Sequence, residues 1–265
     1  MSLSDLLSDW TPSPEVGQGL VFLAVLYFLA VGPLRNQVAP GEPFPSRQAG
    51  WFVASLAVLY LAVGSPLDAI AERYLFSLHM VQHNLLMWTF PPLFMRGLPP
   101  WLLRPFLEFA PVRWAMRTFT RPVVALALFT LVFLIWHIPA LYELTLRDRS
   151  VHFLEHALII GTSLLFWWPI LSPLPEIPRI HYGQQMLYAV ASMIAQTPVF
   201  FYLTFVGSVH YPTYANAIRI VNLTPLEDQQ LGGILMKVVG GLVAFSIFAQ
   251  AFWAWYRKEA GPRWK

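Results

Sequence analysis

Runs of roughly 20 mostly apolar residues recur along this chain, at about 16–34, 50–66, 73–95, 122–142, 150–171, 184–206 and 231–256. A helix rises about 1.5 Å per residue, so each run matches the hydrocarbon core of a bilayer. Pro and Gly mark the gaps, at Pro40-Gly41-Glu42-Pro43, Gly97 to Pro100, Ser172 to Pro178 and Pro212. The pattern predicts an all-α polytopic membrane protein. Residues 1–265 form one domain, a seven-transmembrane helix bundle.

The composition agrees. Hydrophobic residues make up 57% of the chain and charged residues 12%, where soluble domains carry about a quarter charged. A net charge of +3 points to no nucleic acid partner, and the lack of cysteine excludes a disulfide, a thiolate metal site and a catalytic thiol. The first 34 residues contain no Lys or Arg but do contain Asp5, Asp9 and Glu15, which is unlike the basic start of a secretory signal.

Lys and Arg set the expected orientation. Twelve fall in one set of loops, at positions 35, 47, 96, 104, 113, 117, 121, 179, 257, 258, 263 and 265. Four fall in the other, Arg73, Arg147, Arg149 and Arg219. The basic side is expected to be cytoplasmic, so the N-terminus is outside and the C-terminus inside. The loop 96–121 interleaves its arginines with Trp101, Phe106, Phe109, Trp114 and Phe119, as an amphipathic segment in the interface would.

With that topology, six of the seven histidines lie on the outer side or in the outer half of the membrane. His79 and His83 sit in "SLHMVQHNLLMW", His152 and His156 in "VHFLEHALII", and His137 in "IWHIPALY". Residues four apart share a helix face, so each pair aims two imidazoles at one point. Ionisable groups in a span face the bundle interior or a water-filled cavity and mark function. Neutral imidazole is the commonest metal ligand. Asp228 and Met236, two turns apart in the last run, are further donor candidates. The two pairs must stand within about 10 Å of each other to share a metal.

Ordinary roles compete. A lone intramembrane histidine often only bonds a neighbouring helix, which weighs on His137 and covers the loop residues His181 and His210. Met80 and Met87 read as packing. Glu155 is either a partner of the histidines or faces elsewhere. Lys237 lies within the last run, and the long connection before it is placed to cap the outer mouth of the site.

Four blocks in order, "HMVQHNLLM" followed by "FPPL", "WHIPALYELTL", "VHFLEHALIIGTSLLFWWPIL" and "DQQLGGILM", resemble the seven-helix CtaG family of bacterial cytochrome c oxidase assembly factors. The resemblance implies a place in the bacterial plasma (inner) membrane and a non-enzymatic role in forming a haem-copper oxidase. It implies copper as the bound metal, with delivery to the oxidase. Its site residues would be His79, His83, His137, His152, His156, Asp228 and Met236. The implied partners are cytochrome c oxidase subunits, a periplasmic or extracellular-face copper donor and the lipid bilayer. Two other readings stand beside it. One is a zinc-dependent seven-helix intramembrane hydrolase using His79, His83, His156 and Asp228, with Glu155 as base. The other is a haem protein with axial histidines from two spans.

Overall fold

The computed structural model describes residues 13–259, whose regular elements are all helices, with no strand among them. Residues 1–12, with Asp5 and Asp9, and residues 260–265, with Arg263 and Lys265, lie outside the described residues, as does the expected placement of the two ends. In chain order the helices are α1 (Pro14–Val31), α2 (Arg35–Val38), α3 (Ser46–Val63), α4 (Pro66–Arg73), α5 (Phe76–Asn84), α6 (Phe90–Gly97), α7 (Pro100–Glu108) and α8 (Ala110–Phe119). They continue as α9 (Pro122–Trp136), α10 (Pro139–Thr145), α11 (Arg149–Leu171), α12 (Tyr182–Ala195), α13 (Thr197–Phe205), α14 (Pro212–Ala215) and α15 (Pro225–Glu259). A π-helical turn, Leu85–Thr89, joins α5 to α6.

Among the described residues, five helices are long and apolar enough to cross a membrane: Pro14–Val31, Ser46–Arg73, Arg149–Leu171, Tyr182–Phe205 and Pro225–Glu259. Counting α8 and α9 as one bent pair, with 78° between them, makes six. The five unbent helices correspond to five of the seven expected runs, and the bent pair overlaps a sixth, 122–142. The runs 73–95 and 122–142 are interrupted, and proline is the reason. Pro91 has no N–H, so the carbonyl four residues back loses its helical partner. That carbonyl, of Met87, instead accepts from Trp167 Nε1 of α11 at 3.0 Å, and the π-helical turn sits at this point. In the fourth run Pro139 drives Ile138 into extended backbone (ψ 123°). α9 therefore stops at Trp136 after 15 residues, about 22 Å against a hydrocarbon core of about 30 Å.

The centre of the bundle is α15 packed on α5, α12 and α13, with α11 against α6 and α9. Small residues permit the closest approaches. A Cβ on Gly232 of α15 would stand 2.5 Å from the Phe76 ring, and Phe76 is itself stacked on Tyr211. Lys237 does not approach the histidines. Its Nζ donates to Met193 O at 3.0 Å and Thr197 Oγ1 at 2.8 Å, tying α15 to the break between α12 and α13. The 96–121 stretch forms α7 and α8, which leave Phe106, Phe109 and Trp114 exposed.

On the N-terminal side Tyr27 stacks on Phe52 at 3.8 Å and donates to Gly97 O at 2.9 Å. A Cβ at position 97 would lie 2.8 Å from Phe52 N and Cα. Backbone cannot swing aside as a side chain can, so α3 and α6 must separate. Gly97→Ala is expected to cost about 1–3 kcal/mol, read as a lower thermal midpoint in detergent.

Candidate metal centre

Three helix caps build the site, two of them local and one supplied by a distant helix. Asp148 caps α11, its carboxylate accepting from Ser150 N at 2.8 Å and Val151 N at 3.2 Å. His152, Glu155 and His156 then fall in the first two turns. Ser65 caps α4 by accepting from Leu67 N, with Pro66 in the first turn, which sets Asp68 and Glu72 one turn apart on one face. α5 has Leu75 where a capping side chain belongs. Its cap comes from Asp228 of α15, which accepts from Phe76 N at 3.0 Å and Ser77 N at 3.1 Å. A carboxylate there also complements the helix dipole and fixes the turn that carries His79 and His83.

The two histidine pairs face each other. Ring centroids are 5.8 Å apart for His79 and His152, 6.3 Å for His79 and His156, and 5.5 Å for His83 and His156, well inside the 10 Å that sharing a metal requires. Ligand atoms of His79, His83, Glu155 and His156 all lie within 4.8 Å of one another, and all four residues are buried. His79 Nε2 and His83 Nε2 are 2.9 Å apart, and His83 Nε2 is 3.7 Å from Glu155 Oε1. Donors around a tetrahedral ion with bonds of about 2 Å stand about 3.3 Å apart, so small shifts would accommodate one.

The cluster is rich in unsatisfied donors and acceptors. Among the described residues, both Glu155 oxygens, His156 Nε2, His152 Nε2 and His83 Nδ1 are buried without a hydrogen-bond partner. A carboxylate with no exposed surface is costly unless it is paired or coordinates a cation. The donor set is therefore suited to a metal.

The connection between α13 and α15 folds over these rings. Tyr214 Oη donates to Ala71 O at 2.9 Å and lies 3.3 Å from His79 Nδ1. Tyr142 Oη lies 3.2 Å from Tyr214 Oη, and Tyr211 Oη donates to His137 O at 3.1 Å. Burial pushes the Tyr211 and Tyr214 hydroxyls well above the usual phenol range, so both keep their protons. A carbonyl only accepts, so the Tyr214 proton is committed to Ala71. His79 Nδ1 then carries the hydrogen and donates to Tyr214, leaving His79 Nε2 with a free lone pair facing His83.

The remaining predicted residues fall outside this convergence. His137 Nδ1 donates to Phe133 O at 2.6 Å and its Nε2 is buried without a partner, but its ring is not among the converging donors. Both Asp228 oxygens serve the α5 N–H groups, and Arg219 stands 3.6 Å away, so Asp228 positions the histidine helix. Met236 is buried in the apolar core with Phe76, Met80 and Trp88. His181 caps α12, and His210 stacks on Tyr202. A second group, Asp68, Glu72 and His152, went unrecognised in sequence: its ligand atoms also lie within 4.8 Å of one another, and Glu72 Oε1 is 2.6 Å from His152 Nδ1. The signal is the same i,i+4 spacing, in "PLDAIAERY", most of which lies between the second and third apolar runs.

No curated protein and no solved structure matches the chain. A family model described as cytochrome c oxidase caa3 assembly factor (Caa3_CtaG) matches residues 25–258, which take in both histidine pairs and every helix from α2 to α14. The chain belongs to the Caa3_CtaG family of cytochrome c oxidase caa3 assembly factors.

Proposed function

We propose that the protein serves oxidase assembly by binding copper as cargo at His79, His83, Glu155 and His156 and passing it to an oxidase subunit. One observation carries this reading: a fully buried carboxylate with no hydrogen-bond partner, among three imidazoles whose nitrogens converge on it. Imidazole and carboxylate sites bind copper more tightly than any other divalent first-row metal. With no thiolate to trap it, the ion remains exchangeable. The chain crosses a bacterial plasma membrane seven times in this reading, with α5, the π-helical turn and α6 as one broken pass and α9 with α10 as another. The positive-inside bias puts the N-terminus and the histidine pairs toward the outer face, where a copper donor would meet them. The protein's part is carriage, without covalent chemistry.

Zinc is the second reading, favoured by the carboxylate in the donor set. A hydrolase built on Asp228 loses support, because that carboxylate is engaged as a helix cap. Haem loses support too. His83 and His152 rings stand 4.4 Å from His79 and 4.2 Å from His156, in the space a macrocycle would fill.

Metal content of the detergent-purified protein after loading tests the proposal. About one copper per inner site is expected; zinc with no copper after exposure to both metals would favour the second reading. Tyr214→Phe offers a finer check. It removes the acceptor for His79 Nδ1–H, and copper affinity should fall about 10- to 100-fold while the helical circular dichroism is unchanged.

A further inference from the structure

We propose that Asp68, Glu72 and His152 form an outer receiving site for a divalent transition-metal cation, which passes inward to His79, His83, Glu155 and His156 with His152 as the shared ligand. This rests on the metal reading above and adds a second site and a direction of travel. The two groups differ in access. The inner four residues are buried, whereas Asp68 is half-buried and the Glu72 side chain is 33% exposed. An ion from outside therefore meets the carboxylates first.

His152 connects the two groups. Its Nδ1 is held by Glu72, and its ring centroid lies 4.2 Å from His156 and 5.8 Å from His79. Nε2, on the far side of the ring from Glu72, is buried with no partner among the described residues. Gln82 gives a second sign of a polar ligand site. Its Nε2 donates to Asp68 Oδ1 at 2.5 Å and to Ala62 O at 2.9 Å, while its Oε1 is buried and unpartnered. Two carboxylates beside an imidazole favour a divalent ion and, having no thiolate or thioether, release it readily. Transfer is ligand exchange without electron transfer: bonds to the Asp68 and Glu72 oxygens and to His152 Nδ1 break as bonds to His152 Nε2 and the inner imidazoles form, and the single imidazole proton moves from Nε2 back to Nδ1, where Glu72 accepts it.

The test is loading kinetics on the full chain in nanodiscs, with Cu(II) supplied as its glycine chelate and tryptophan quenching as the signal. Copper bound at equilibrium is measured on the same samples. Asp68→Asn/Glu72→Gln should keep the inner copper but fill about tenfold or more slowly, as loss of steering charge does. Glu72→Gln alone, at a partly exposed side chain, should slow filling in the same direction even if the double variant folds poorly. His83→Ala/Glu155→Gln should retain only a weak copper that a chelator strips at once. Unchanged filling rates in both acid variants would overturn the receiving site while leaving the inner site standing. Loss of the inner copper at equilibrium from a folded acid variant would make these residues part of one site and overturn the two-site scheme. Wild-type protein that binds no copper would overturn this proposal together with the reading beneath it.

Discussion

The His79→Ala/His83→Ala variant is expected to bind copper more than about a thousandfold more weakly than wild type, since losing a group that merely orients a ligand costs about 10- to 100-fold. Cells carrying it in place of wild type should assemble oxidase lacking copper, with activity near that of a deletion strain. The fold should survive. Alanine is the best helix former, and the change removes buried polar atoms rather than adding them. Asp228 would still cap α5 through Phe76 N and Ser77 N. Copper content, oxidase activity and accumulation of the variant in membranes are the three readouts. Normal oxidase activity in a variant without copper would assign the histidines a structural part.

Asp228→Ala has the opposite signature. It strips two buried N–H groups of their acceptor and leaves Arg219 without its carboxylate. Hydrogen bonds to a charged acceptor are worth about 1.5–3 kcal/mol each, and the loss should reach about 3 kcal/mol. Asp228→Asn keeps one acceptor oxygen and should lose about half of that. Thermal unfolding in detergent measures both. The Asn variant that does fold should still bind copper stoichiometrically. Asp228→Asn protein with wild-type stability and no copper would make this residue a ligand after all.

These two predictions also show what was legible in the sequence. The histidine pairs were visible because i,i+4 spacing is a local property of a helix, and both pairs lie in or beside long apolar runs of the sequence. Asp228 was visible as an unusual buried acid, but its task was not. The N–H groups it serves lie more than 150 positions away, and only the approach of α15 to α5 creates the need. The absence of a capping side chain at Leu75 was the available hint. Tyr214 gave no local sign, because it meets His79 only after the α13–α15 connection folds inward. Met236 shares a helix with Asp228 yet turns into the apolar core, as methionine at helical spacing usually does. The two interrupted runs had a sequence signal in Pro91 and Pro139. Their consequences, the π-helical turn and the indole that takes the freed Met87 carbonyl, depend on α11 lying alongside.

X-ray absorption on the copper-loaded protein tests the central claim most directly, because it reads the atoms bound to the metal. Three imidazoles and a carboxylate predict nitrogen and oxygen scatterers at about 2.0 Å, with imidazole multiple scattering and no sulfur. A sulfur shell at about 2.3 Å would move the ion to a methionine of the core and contradict the assignment of His79, His83, Glu155 and His156.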